Sequence, residues 1–362
     1  MMCRLLIVLT LVACALPAPA VVAQDRVTRL RSVERRVERV ERVEIVRRSA
    51  SEGSEQSRQR RDEREAQTER LTRNVNIGAS GEIELSNISG DIVVTRGGGT
   101  AATIEVIKTA RGASADEARA MLPLVQVDIT GRGTRVEART RYPAGDENRR
   151  NNRRNVDVSV AFNVAAPEGT RIIVKSISGN ISVRDIMGGL TLETISGSVR
   201  ISNAGRMVNG RSISGDIELV DTKVEGALEA GTISGTVRLR RLSARSVAVN
   251  SVSGNVELED VTSERIGAQV ISGNINFSGD LQPNGRYELT SHSGNVRLAI
   301  AAGAGFQVEA SSFSGSINTD FPITLQGGQS GRRNRALRGT VGGGGAVLDL
   351  TTFSGTIHIT KR

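Results

Sequence analysis

The sequence predicts an all-β fold, a single-chain parallel β-helix (β-solenoid) with about 18–21 residues per coil. Three observations predict it. A phrase of the form Ser/Thr-Ile/Val-Ser-Gly, with Val270 in the first slot of one copy and His292 in the second slot of another, recurs between Ser176 and Leu298, its serine before glycine falling at 178, 196, 214, 234, 253, 272 and 293. A near-constant period of this length marks stacked supersecondary units, none able to bury its apolar face alone. Apolar residues also alternate on both sides of the phrase, as in Leu190-x-Leu192 and Val247-x-Val249 before it and Ile217-x-Leu219 and Val256-x-Leu258 after it. Period two means strand, and the Ser-Gly between the strands is a bend. Finally, no 3.6-residue pattern interrupts the series, so packed helices do not join the strands, and successive coils are left to pair in parallel. Roughly 65 Å of chain per lap suits a narrow solenoid filled by side chains. The general chirality of parallel crossovers makes right-handed winding the expectation.

This reading predicts ladders. The residue between the two apolar positions after each bend points outward, and in successive coils it is Ser182, Arg200, Glu218, Arg238, Glu257, Asn276 and Arg297. With coils about 4.8 Å apart, the central four alternate in sign up one exposed face.

From the start of the chain, Arg4, the apolar run Leu5 to Leu16 and the small-residue stretch to Ala23 have the three regions of a secretory signal, so residues 1–23 are read as a signal peptide. The apolar run is too short to span a bilayer. Cleavage before Gln24 is the expected processing. The alternative is Leu11-Val-Ala-Cys14, which resembles a lipobox and would leave Cys14 lipidated as an anchor. Both cysteines, Cys3 and Cys14, lie in this leader, which leaves the exported body without disulfide or thiol chemistry. Residues 24–74 form a charged tether. Val33, Val37, Val40, Val43 and Val46 recur at helical spacing, and Ser49 to Arg73 has too little apolar character to fold.

The β-helix domain is expected over 75–362. Its first part, 75–175, carries the phrase twice, at Ser80 and Ser89, as if two faces of one first coil used it. Strands then follow at Thr103–Thr109, Leu124–Thr130, Thr134–Tyr142 and Val156–Val164, with a capping-box helix starting at Ser114. Residues 176–320 are the regular coils. The last part, 321–362, reads as an inserted loop plus a C-terminal capping coil that covers the final edge.

Ala166-Pro-Glu-Gly169, the serial Ser-Gly-x-Ile/Val turns, and Gly342-Gly-Gly-Gly-Ala-Val-Leu-Asp-Leu-Thr-Thr-Phe-Ser-Gly355 together resemble the bacterial putative-adhesin family of β-strand-repeat proteins of unknown function. The resemblance covers about 75 to 362. It implies an exported single-chain β-helix and carries over no catalytic residues.

Composition narrows the function. Aromatic residues make up 2% of the chain and tryptophan is missing, which weakens both single-strand nucleic-acid binding and ring-stacking on sugars. A net charge of +9 favours association with anionic polymers. The Ser-Gly pairs in eleven copies of the phrase invite a nucleophile reading, but none lies in Gly-x-Ser-x-Gly, and only His292 and His358 could act as base. His292 fills the slot held elsewhere by Ile, Val or Phe, and His358 an outward one. Of the residues that follow each bend in the regular coils, Asp216 is the lone carboxylate, too few for stacked calcium sites. These Asn, Asp, Ser and Thr residues are expected to close the turns through their own backbone.

The expected role is therefore non-catalytic, structural or adhesin-like, in the periplasm or at the cell surface, with no cofactor and no metal. Arg149, Arg150, Arg153 and Arg154 in one loop, and Arg332, Arg333, Arg335 and Arg338 in another, are the candidates for binding anionic envelope glycans or lipids. Two alternatives are kept. One is a polysaccharide-cleaving β-helix using Glu218 and Glu257, two coils apart with Arg238 between them. The other is an end-to-end self-assembling scaffold.

Overall fold

The computed structural model describes residues 65–143, 157–206, 208–325 and 335–362. The chain divides at Arg64/Glu65, and every described residue belongs to the second unit. The signal peptide, Cys14 and the tether up to residue 64 lie outside the described residues.

Twenty-four strands make one sheet. The first part holds β1 (Glu65–Asn76), β2 (Glu82–Ser89), β3 (Ile92–Arg96), β4 (Ala101–Gly112), α1 (Ala115–Met121), β5 (Gln126–Arg132), β6 (Arg135–Arg141) and β7 (Val158–Ala166). The repeats supply β8 (Arg171–Ser178), β9 (Ile181–Ile186), β10 (Leu190–Ser196), β11 (Val199–Ala204), β12 (Val208–Ser214), β13 (Ile217–Ser234), β14 (Val237–Ser253), β15 (Val256–Ser272), β16 (Ile275–Gly279), β17 (Arg286–Ser293) and β18 (Val296–Ile300). The end is built from β19 (Phe306–Ser314), β20 (Ile317–Thr319), β21 (Thr324–Leu325), β22 (Ala336–Val341), β23 (Ala346–Ser354) and β24 (Ile357–Lys361).

The fold is all-β and solenoid-like, and the predicted serine column is present. Ser89, Ser178, Ser196, Ser214, Ser234, Ser253, Ser272 and Ser293 pair rung to rung in parallel strands. The outward ladder is in register too, from Ser182 through Arg200, Glu218, Arg238, Glu257 and Asn276 to Arg297. Inward positions hold the core, with Leu85, Ile172, Leu192, Val237, Leu258 and Leu289 buried from coil to coil.

Glycine is required at the bend because coils approach there backbone to backbone. Gly254 adopts φ +157°, and a Cβ on it would overlap the carbonyl oxygen of Gly235 in the preceding coil. The residue after the glycine does not close its own turn, contrary to expectation. Its side-chain oxygen instead accepts from the backbone amide at the same position one coil on: Ser198 N donates to Asn180 Oδ1 at 3.0 Å, and Thr236 N to Asp216 Oδ1 at 2.8 Å. Asn295 N donates likewise to Asn274 Oδ1 at 2.9 Å. In a stack, a backbone donor about 4.8 Å away along the ladder is nearer to hand than a strained local one.

Two further expectations are corrected, and a third is refined. Residues 65–74, read as tether, belong to β1, which pairs antiparallel with β4 along its whole length. Backbone pairing and surface ion pairs such as Lys108–Glu69 at 3.2 Å hold this exposed strand, not burial, so its polar sequence resembles a linker. The 321–362 segment does not supply a capping coil at the end of the stack. Ser354 sits between Ser293 and Ser314, because β23 inserts in parallel between β17 and β19, and β24 between β18 and β20. The outer edge of β19 is covered instead by the antiparallel strand β22. Finally, Ser80 does not join the serine column. Its neighbour Gly81 packs against the Thr134 carbonyl, leaving Ser89 alone in the first coil's rung.

The pairing is thus parallel through the repeats and antiparallel at both ends, where β4 pairs with β7 and β5 with β6 at one and β22 pairs with β19 and β21 at the other. The predicted helix is present as α1. Ser114 accepts from Glu117 N, and Glu117 in turn accepts at 2.8 Å from Ala113 N, one residue before the N-cap amide that a capping box engages.

Candidate functional site

Each position of the phrase has its own physical task. The first residue points inward, and in five copies of the phrase its hydroxyl ties coil to coil. Ser212 donates to the Gly197 carbonyl at 3.1 Å, Thr232 to Gly215 at 3.1 Å and Ser291 to Gly273 at 3.0 Å. The glycine permits the close approach. The second residue, Ile or Val, points outward and takes no part in the core.

The result is a continuous apolar ladder on the outside of the sheet. Ile177, Ile195, Ile213, Ile233, Val252 and Ile271 occupy successive rungs, followed by His292, Phe353 and Phe313. Across the Ile, Val and Phe members the exposed fraction runs from 42% at Val252 to 66% at Phe313. The aromatic end is a stack. His292 and Phe353 lie 4.8 Å apart at 10°, and Phe353 and Phe313 lie 4.7 Å apart at 6°. His292 is a rung of this ladder, as its slot in the phrase suggests, and His358 takes its outward place between Arg297 and Asn318. Scattered exposed apolar residues need no explanation, but a contiguous file of nine does.

Beside the first rungs runs a groove of about 760 Å³. One wall is Ile88, Ile177, Ile195, Ile213 and Ile233, and the other is Lys175, Glu193, Arg211 and Glu229, with Arg139 and Thr140 at the end. Gly231 stands in register between Arg211 and Asn250, so the charged wall lacks a side chain there. Arg211 pairs with Glu229 at 3.6 Å, while Lys175 and Glu193 have no ion-pair partner among the described residues.

The opposite flank of the bend carries the charge ladder. Arg200 Nε donates to Glu218 at 2.9 Å, and Arg238 bonds Glu257 at 3.0 Å and Asp216 at 3.1 Å. Both carboxylates considered for polysaccharide cleavage are thus engaged by arginines of the neighbouring coil. At the next corner Asp221 and Arg241, both at positive φ, bond through two contacts, and this bonding holds the Asp221 carboxyl below its usual range.

Of the eight candidate arginines, Arg149, Arg150, Arg153, Arg154, Arg332 and Arg333 lie outside the described residues. Arg335 is exposed, and its carbonyl accepts from Ser312 N at 2.7 Å, next to the aromatic end of the ladder. Arg338 is committed to Glu309 at 2.6 Å. In sequence, Arg149 to Arg154 fall between β6 and β7 and Arg332 to Arg335 between β21 and β22, and Arg338 lies within β22.

The apolar ladder was not anticipated, although the sequence carried its signal. Continuing the alternation Leu190, Leu192, Thr194 puts Ile195 on the outward phase, and every copy of the phrase repeats that placement. Among the described residues no group of three or more His, Cys, Asp or Glu is placed to hold a metal ion, and no helix is long and apolar enough to cross a membrane.

No curated protein matches the chain significantly. Solved structures that it resembles include a "putative adhesin" from Bacteroides fragilis NCTC 9343, with 12% identity and a TM-score of 0.38 over 81% of this chain and 97% of that one. Another is a "Putative lipid binding protein" from Parabacteroides distasonis ATCC 8503, with 14% identity and a TM-score of 0.37 over 81% and 96%. A "putative cell adhesion protein" from Clostridium sporogenes ATCC 15579 gives 12% identity and 0.21 over 82% and 100%. A family model matches residues 158–360, more than half of the chain and nearly all of the repeats, and no catalytic family is indicated. The chain belongs to the Toastrack DUF4097 family.

Proposed function

We propose that the protein is a non-catalytic interaction scaffold of the cell envelope, exported by its N-terminal leader, with the apolar ladder as its docking face. The observation that carries this reading is the file of nine exposed side chains that the core does not use. A sheet that needed only solubility would place Thr, Lys or Glu at those rungs, as it does elsewhere on its outside. The winding of the stack is taken as right-handed, following the chirality of parallel crossovers. The arginines at 149–154 and 332–335 add attraction to anionic glycans or lipids, a contribution that fades by about 0.3 M salt.

The test is retention of the full chain on purified envelope material and on anionic phospholipid vesicles, with Ile195, Ile213 and Ile233 changed together to Ser. Each isoleucine exposes about half its surface, so burying one on a partner is worth on the order of 2 kcal/mol, and the triple variant loses at least a hundredfold in affinity with thermal stability unchanged. Unchanged retention sinks the docking face.

A further inference from the structure

We propose that the occupant of the apolar ladder is a second copy of this chain, related by a two-fold axis that crosses the ladder so that the two files run antiparallel. The proposal rests on the ladder being a docking face and names its partner.

Three features point to a copy. The first is area. The nine rungs expose on the order of 800 Å² of mostly apolar surface, above the largest patch usual on a monomer and close to one partner's share of a standard interface. The second is period. The rungs repeat at about 4.8 Å for about 40 Å, and a surface that interdigitates over that whole length needs the same spacing. Another copy of the ladder has it. The third is charge. Lys175 flanks the ladder at its second-coil end, Asp349 at its aromatic end, and neither has an ion-pair partner among the described residues.

A two-fold placed between Ile233 and Val252 satisfies all three. With half-buried Ile88, in register with Ile177, as a tenth rung, it sets Phe313 over Ile88, Phe353 over Ile177 and His292 over Ile195, so that apolar rung meets apolar rung or the stacked imidazole throughout. The same operation brings Lys175 of each copy over Thr351 of the other, two residues along the strand from Asp349 and within reach of the long lysine side chain, giving two equivalent ion pairs. The like-charged Glu84 and Glu309, which it also brings close, are already held by Arg135 and Arg338, each at 2.6 Å. A parallel arrangement instead turns the charged columns away from each other and leaves Lys175 and Asp349 unpaired.

Sedimentation velocity of the full chain from about 1 to 100 μM tests the proposal. The expected result is a reversible dimer. Val252→Asp, at an exposed strand position, weakens it at least a hundredfold without changing the circular dichroism spectrum or melting temperature. Lys175→Asp and Asp349→Lys each weaken it several-fold, and the two together restore it, because the swapped charges meet again across an antiparallel interface. A chain that stays monomeric throughout, a dimer indifferent to Val252→Asp, or a double swap that fails to restore the dimer each overturns the proposal. A monomer that still loses envelope binding in the isoleucine triple variant removes the second copy and keeps the docking face. Ladder variants that alter neither measurement remove both.

Discussion

Substituting Gly254 by alanine probes the backbone contact on which the stacking depends. At φ +157° an L side chain is strained, and its Cβ would overlap the Gly235 carbonyl, whose neighbours are themselves bonded to the next coil. Two inter-coil bonds flank this point, Gly235 N to Ser253 O at 3.2 Å and Gly254 N to Ser272 O at 3.0 Å. Placing a non-glycine residue in this region costs about 1–3 kcal/mol, and loosening the two bonds adds about 1 kcal/mol each, so the loss is about 3–5 kcal/mol. Gly267, in β15, which follows this bend, is the internal control. It has no positive φ, and a Cβ added there would meet nothing within 4 Å, so Gly267→Ala is neutral or stabilising by about 0.4–1 kcal/mol. Urea unfolding reports the global difference, and amide hydrogen exchange in 235–272 reports it locally, which matters for a stacked array whose coils can open separately. A Gly254→Ala protein within about 0.5 kcal/mol of the parent, or equal damage from both alanines, would refute the reasoning.

Three other perturbations follow from the same geometry. Both tyrosines of the chain titrate late: burial pushes Tyr142 up to about 12, with its hydroxyl donating to the Val158 carbonyl at 2.8 Å, and burial raises Tyr287 as well. Absorbance near 295 nm should therefore show little tyrosinate at pH 10 in the folded protein and about one equivalent in urea, where each of the two tyrosines is half ionised. Because the folded value is raised, stability is intact below about pH 10 and is lost as pH rises toward 12. Thr232→Val removes a buried hydroxyl that donates to Gly215 and should cost about 1 kcal/mol, whereas Thr194→Val, where the hydroxyl has no partner, should be neutral or stabilising; equal effects in thermal melts would contradict the assigned bonds. For the coil order, cysteines replacing Ser293 and Ser354 should oxidise to a disulfide, since adjacent rungs lie within bridging range, while cysteines replacing Ser293 and Ser314, two rungs apart, should not. The reverse pattern on a reducing and non-reducing gel would restore the sequential order.

Much of this fold is legible in the sequence because a solenoid converts one-dimensional period into three-dimensional neighbourhood. Once Ser196 and Ser214 are equated, Arg200 must stand beside Glu218, and it does. Legibility fails where neighbourhood is not set by period. The coil around Ser354 carries the same Phe-Ser-Gly as the coil around Ser314, so nothing local tells which of them follows Ser293. Their order depends on β22 turning back against β19, a long-range pairing. Strand β1 was missed for a different reason. With both faces largely exposed, its residues are chosen for solubility, and Glu69 or Arg70 reads the same in an edge strand as in a linker. The docking face was missed because apolar residues were assumed to be core. Phase decides that question, and Ile195 is one residue out of phase with Leu190, Leu192 and Thr194. The candidate arginines illustrate the converse, since Arg338 spends its charge on Glu309 within the chain.

The central claim is that the outward residue of the phrase is the surface that partners touch. A photo-cross-linking amino acid placed in turn at Ile195, Ile233 and Phe353, and at Arg200 and Arg238 on the charged flank, tests this in the full chain within its envelope setting. Cross-linked products are expected from the three ladder positions and none from the two arginine positions. Equal cross-linking from both faces, or products from the arginine positions alone, would contradict the claim.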